Sequence, residues 1–237
     1  MSTMPDIRGQ EFTDILARSY LSTKVFGKTF LPERFYRPFG SIHEKIFDLI
    51  DDDSKQQVAI GAPRGTGKTS LVNFALAAKH ILYKKTDFIV TVSMSAKHAI
   101  MQAENLKYEL ETNLLIKKVF GSQKSGNWSK EEWVTKDGIM MLPRGAGQQV
   151  RGMLHRNSRP GLILVDDLED PEHLDSSEQR MKKKEWFFAD VCNSIDRGSK
   201  DWRIIVIGTI LHEDSLLVNL IDDPDWDSIN LPLCDDQ

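Results

Sequence analysis

Apolar and polar positions follow two different periods along this chain. Four apolar runs carry no charge: Val58–Ile60, Phe88–Val92, Leu162–Val165 and Ile204–Ile207. Continuous runs of this length predict strands covered on both faces, as in a parallel α/β sheet. Between them the spacing turns helical. Phe12, Ile15, Leu16 and Tyr20 predict a first helix over residues 9–22, and Ile42, Ile46, Leu49 and Ile50 a second, with Ser41 as its N-cap. Leu71–Ala78 follows the first run. Ile100, Ala103, Leu106, Leu110 and Leu114 form one long helix behind Ser95. Met181, Trp186, Phe187 and Val191 form another behind Ser176 or Ser177, and a short helix runs from Asp214 to Ile221. Glu132–Thr135 and Ile139–Leu142 flank Asp137-Gly138 and predict a hairpin. Trp226–Leu233 predicts a last strand. Gly27 to Phe39, rich in aromatics, Pro and Arg, predicts no element. The alternation predicts one α/β core over 55–237, with a central, mainly parallel sheet flanked by helices, and a helical lead over 1–54 packed on it.

Composition narrows the picture. The 237 residues suffice for a real core, and the formal net charge of -4 leaves room only for a local nucleic-acid patch. The 2 cysteines, Cys192 and Cys234, have no CxxC spacing and predict neither a disulfide framework nor a metal cluster, which fits a reducing compartment. Met1–Asp6 lacks the basic-then-apolar pattern of a signal peptide, and no run is long enough to span a bilayer. The expectation is a soluble, cytosolic chain without membrane contact.

The sharpest motif follows the first apolar run. Gly61-Ala62-Pro63-Arg64-Gly65-Thr66-Gly67-Lys68-Thr69-Ser70 places a glycine-rich turn between a strand and a helix, the context of a phosphate-binding P-loop, or Walker A motif, with Ala62 where the strict pattern has Gly. Gly65 and Gly67 let backbone N–H groups face an anion, and the helix N-terminus adds partial positive charge. Lys68 is placed to reach the β/γ-phosphates of ATP and the Thr69 hydroxyl to ligate Mg²⁺. Pro63 has no N–H to offer.

Leu162–Val165 ends in Asp166, which together with the P-loop predicts a Walker B strand whose Asp holds Mg²⁺. Hydrolysis also needs a carboxylate to activate water. Position favours Asp167; Glu169 is the rival, with Asp170 behind them. Thr209, after Ile207-Gly208, would sit at the C-terminal edge of the sheet, where ligands of open α/β folds bind, and is a candidate γ-phosphate sensor. Arg64 lies inside the P-loop, while Arg151, Arg156 and Arg159 lie in the loop before Walker B. An arginine aimed at the γ-phosphate is worth roughly 10³–10⁵ in rate. Lys182-Lys183-Lys184 reads as a solvated helix face, and Trp128 and Trp133 as packing residues. Three function classes meet these motifs: an ATPase motor, an NTP-dependent nucleic-acid-binding switch, and a helicase-like ATPase. Nothing after Thr209 supplies the second motor domain a helicase needs.

The ordered set resembles the ATPase domain of the large terminase subunit, the DNA-packaging motor of tailed bacteriophages. It is carried by the P-loop with its internal Arg64, by Gly145-Ala146-Gly147-Gln148-Gln149-Val150-Arg151-Gly152, by Leu164-Val165-Asp166-Asp167-Leu168-Glu169, by the coupling-like motif Ile207–Asp214, and by Pro38–His43, similar to the family's adenine-contacting segment. The resemblance spans roughly Phe35 to Pro232. It implies an ASCE-type P-loop NTPase that hydrolyses ATP with Mg²⁺ to translocate double-stranded DNA into a procapsid. It further implies a homo-oligomeric ring in the host cytoplasm at the portal vertex, working with portal protein and small terminase subunit and absent from the mature virion. The isolated domain is expected to be a monomer. In the ring an arginine, Arg151 or its rival Arg156, completes a neighbour's site in trans. Relatives carry a second, nuclease domain; no acidic cluster for it follows here, so it is expected to be missing from this chain.

Overall fold

Each apolar run becomes a strand buried on both faces. A computed structural model describes residues 9–169 and 176–232; Asp170 and Cys234 fall outside them. The strands are β1 (Gln57–Gly61), β2 (Phe88–Ser93), β3 (Trp133–Val134), β4 (Met140–Gly145), β5 (Leu162–Asp166), β6 (Arg203–Gly208) and β7 (Asp227–Asn230). They form one seven-stranded sheet in the order β3-β4-β2-β5-β6-β1-β7. All neighbours are parallel except the β3–β4 hairpin. β6 therefore lies between β1 and β5. The tips of these three strands share the edge from which the P-loop leaves.

The helices are α1 (Gln10–Leu21), α2 (Thr23–Phe30), α3 (Ser41–Ile50), α4 (Ala77–Leu82), α5 (Ala96–Thr112), α6 (Leu114–Phe120), α7 (Ser177–Trp186) and α8 (Leu216–Asp222). A π-helical stretch, Ser70–Leu76, joins the P-loop to α4, and another, Phe187–Val191, extends α7. The period of two divides the strands between two cores. Val58, Ile60, Ile89, Leu162, Leu164, Ile205 and Ile207 pack under α2–α6. Ala59, Val90, Val92, Ile163, Val165, Ile204 and Val206 pack under α7 and α8. Trp133 is fully buried and stacks near Trp128, with ring centroids 5.0 Å apart. Lys182 and Lys184 pair with Glu178 and Asp214, as a solvated helix face does.

Four boundaries differ from the sequence expectations. The aromatic stretch after residue 22 holds α2, whose Phe26 and Phe30 enter the core at i, i+4 spacing; its glycine and three β-branched residues hide the pattern. Gly40, not Ser41, is the N-cap of α3, and the His43 ring accepts its N–H at 2.9 Å. The long helix breaks at Asn113, whose side chain accepts from the Leu115 and Ile116 amides and restarts the chain as α6. β7 is only four residues long and half-exposed, as an edge strand can be.

The helical lead belongs to the first core, tied in by buried charge. Asp51 accepts from the Thr23 amide (2.7 and 2.9 Å) and pairs with Lys79 at 2.6 Å. Lys79 is 1% exposed, and burial lowers its pKa against the pull of Asp51. Arg203, opening β6, donates to the Leu49 and Ile50 carbonyls at the C-terminus of α3 and to the Lys55 carbonyl in the loop before β1. Removing one partner strands the other charge in the core. Asp51→Ala should therefore lower stability by about 3–5 kcal/mol in urea denaturation. Asp51→Ala combined with Lys79→Met should recover most of that loss; a double variant as unstable as the single would locate the effect elsewhere.

Candidate functional site

The P-loop leaves β1 through a turn built by its glycines. Gly65 and Gly67 have φ of 81° and 71°, which a side chain resists. The Ala62 amide is committed to the Gly208 carbonyl at 2.9 Å, so with Pro63 lacking an N–H the phosphate-facing donors begin at Arg64. Thr66 closes the turn, its hydroxyl donating to the Pro63 carbonyl at 2.9 Å. His43 meets the Thr66 carbonyl from outside at 3.0 Å and ties Pro38–His43 to the loop. Lys68, Thr69 and Ser70 then open the helix.

Lys68 is 5% exposed. Its ammonium donates to the Thr209 hydroxyl at 2.8 Å and lies 3.3 Å from an Asp167 oxygen. Asp167 has a φ of 41°, and its other oxygen accepts the Thr209 amide at 3.0 Å. Both of its oxygens are thus engaged. Glu169 differs: Oε1 accepts from the Leu216 amide at 2.8 Å, and Oε2 is buried without a partner among the described residues. Arg64 is exposed at the mouth, and among the described residues its guanidinium has no ion-pair partner. These side chains, with Met94 and Leu211, line a cleft of about 550 Å³, within the roughly 300–1,000 Å³ of small-ligand sites.

Asp166 points to the same face of the sheet as Leu162 and Leu164, beneath the P-loop helix. It is 1% exposed; Oδ2 accepts from Gln102 at 3.1 Å, while Oδ1 has no partner. Burial raises its carboxyl to about 6, against the opposing pull of the Thr69 hydroxyl and Lys68. An orphaned buried carboxylate oxygen beside a hydroxyl suits a hard divalent cation that keeps water and phosphate among its ligands, as Mg²⁺ does. Among the described residues no group of three or more His, Cys, Asp or Glu could hold a metal unaided, so phosphate oxygens would have to complete the set.

The arginines separate. The Arg156 guanidinium lies against Gly138, where a Cβ would stand, at the hairpin turn before β4. That turn is at the sheet edge opposite the P-loop. Arg151 and Arg159 are exposed. The Arg151 amide donates to Asp190 at 2.9 Å, and its side chain does not line the cleft of its own chain. Sequence reasoning missed Asn73 and Gln102, a linked polar pair beneath Asp166. The available signal was a lone Asn inside Leu71-Val72-Asn73-Phe74-Ala75-Leu76, a polar residue where the pattern demands core.

The raised Asp166 pKa sets a pH dependence. Its folded value, about 6, exceeds the unfolded value of about 3.9, so the folded state binds the extra proton between these limits. In EDTA, this group should favour folding most below about pH 4 and lose roughly 3 kcal/mol as pH rises to about 6. Asp166→Asn should remove that loss and raise the melting temperature at pH 7–8 in EDTA. Parallel wild-type and variant pH profiles would contradict the assigned burial.

No protein-family model and no curated protein matches the sequence. The fold does match a solved structure, the crystal structure of the HK97 bacteriophage large terminase, with a TM-score of 0.52 and 15% sequence identity. The match covers 85% of this chain and 41% of that one, so the chain spans less than half the terminase's length. At this identity the likeness is one of architecture: the chain shares the α/β fold, a mainly parallel sheet flanked by helices, of a phage large terminase.

Proposed function

We propose that this chain is the ATP-hydrolysing motor domain of a phage terminase large subunit, driving double-stranded DNA into a procapsid. The observation that carries the reading is the convergence of Lys68, Thr69, Asp166 and Glu169 on one edge of a parallel sheet. The P-loop amides and Lys68 would bind the triphosphate, and Thr69 and Asp166 would hold Mg²⁺, which would supply Lewis-acid neutralisation of the phosphate charge. Arg64 adds positive charge at the cleft mouth.

The two rival carboxylates divide the work. Asp167 holds Lys68 and the Thr209 amide, so a shift of either when phosphate binds is passed to the tip of β6. Glu169 keeps an unpartnered oxygen and is assigned the water, although its position along the chain favoured Asp167. In the assembled ring Arg151 reaches the neighbouring subunit's γ-phosphate. Both arginines are exposed and absent from their own cleft, but the Arg156 guanidinium is packed against Gly138 at the hairpin, which supports Arg151 in that role. Double-stranded DNA, portal protein and the small terminase subunit are the partners this role requires.

Steady-state ATPase assays test the site. Lys68→Ala should lower turnover by about 100-fold or more. Glu169→Gln should retain nucleotide and lose about 10²–10⁴ in rate, with Asp167→Asn less impaired. If Asp167→Asn is dead and Glu169→Gln turns over normally, the assignment reverses.

Mixing tests the arginine. Under assembled conditions Lys68→Ala and Arg151→Ala chains are each expected to be inactive. Mixed rings contain interfaces where an intact Lys68 faces an intact Arg151, so part of the ATPase should return. No recovery at any ratio, with assembly confirmed, would exclude Arg151 as a finger acting in trans.

A further inference from the structure

Beneath the P-loop helix lies a polar chain among apolar side chains. Asn73 is 3% exposed and sits in the π-helical stretch. Its Nδ2 donates to Gln102 Oε1 at 2.6 Å, and Gln102 Nε2 donates to Asp166 Oδ2 at 3.1 Å. Chemistry fixes the direction. An ionised carboxylate only accepts, so Gln102 must turn its NH₂ to Asp166, and its carbonyl is then left to receive the Asn73 amide. The bond occupies one oxygen of Asp166 and leaves the other, Oδ1, free. Gln102 belongs to α5, Asn73 to the P-loop helix and Asp166 to β5, so three elements meet in this chain.

We propose that Gln102, braced by Asn73, is a positioning residue that sets the rotamer of Asp166 beside Thr69 by occupying Oδ2, keeping Oδ1 available to the divalent cation of the nucleotide. This rests on the ATPase reading of the same site. A ligating carboxylate held by a fixed outer partner loses orientation when that partner goes, and such losses cost about 10–100-fold in metal affinity. Gln102 itself touches neither nucleotide nor metal. The arrangement also makes metal affinity depend on where α5 lies against the P-loop helix, since Gln102 moves with α5.

The test separates metal binding from folding and from nucleotide binding. A fluorescent ATP analogue is titrated onto the chain in EDTA and again across a Mg²⁺ series, and Mn²⁺ binding in the presence of ADP is followed by electron paramagnetic resonance. Gln102→Leu, close in size, should raise the half-saturating Mg²⁺ and Mn²⁺ concentrations about tenfold and leave analogue affinity in EDTA unchanged. Asn73→Ala, which breaks only the outer link, should shift them less. Gln102→Met supplies the same measurement if the leucine variant does not fold. Unchanged metal dependence in these variants, or a loss of EDTA binding equal to the loss with metal, overturns the positioning role. A wild-type chain that binds no nucleotide overturns the parent reading and this one together. Metal-dependent wild-type binding with unaltered variants overturns this one alone.

Discussion

The Lys68 ammonium, almost wholly withdrawn from water, has to be satisfied by protein, and this requirement organises the site. An unpaired charge there would cost on the order of several kcal/mol. Thr209 and Asp167 supply the partners. Both become available only because β6 is inserted between β1 and β5, which puts the tips of three strands side by side. The sheet order is thus a condition of the chemistry: with β1 beside β5, Thr209 would not stand between the P-loop and the acidic turn. The partners are also exchangeable. A phosphate entering the cleft offers Lys68 stronger, charge-assisted bonds than a threonine hydroxyl, and whatever Lys68 releases is free to move.

Much of this was legible in the sequence, for identifiable reasons. A parallel strand buried on both faces must be apolar throughout, so β1, β2, β5 and β6 announce themselves. The P-loop needs glycine where φ is positive, and Gly65 and Gly67 meet that demand. Ser95 and Ser176 cap helices as their side-chain chemistry suggests. What stayed hidden depends on tertiary context. α2 is short and stabilised by Phe26 and Phe30 in the shared core more than by propensity. The break at Asn113 is masked because Leu114 continues the apolar spacing of Leu110 in the sequence, yet in the fold it is exposed and Ile116 turns inward instead. The rivalry between Asp167 and Glu169 turns on a φ of 41° and a single backbone amide, neither of which residue spacing encodes.

The buried polar groups show why the lead and the core behave as one body. At the edge far from the P-loop, Asp51, Lys79 and Arg203 join α2, α3, α4 and β6 through ion pairs and carbonyl contacts. Near the P-loop, His43 joins α3 to the Thr66 carbonyl. α3 is therefore held at both ends, once by charge and once at the phosphate loop. A displacement of the P-loop on nucleotide binding would pull on the N-cap of α3, where the His43 ring also holds the Gly40 amide. The aromatic segment ahead of α3 is in this way coupled mechanically to the loop, apart from any contact it makes with a base.

The arginines follow from the parallel sheet as well. The hairpin turn at Gly138 precedes β4, whereas the P-loop follows β1. In a parallel sheet the start of one strand and the end of another lie a full strand length apart, about 20 Å for six residues. Arg156 is packed at the first of these ends, so the P-loop cleft of its own chain is out of reach without unfolding the turn. The Arg151 amide is fixed by Asp190 in the π-helical extension of α7, and its side chain does not line its own cleft. For it to act on phosphate, a second chain must bring its P-loop edge against the α7 side of the first, a head-to-tail contact of the kind that closes into rings.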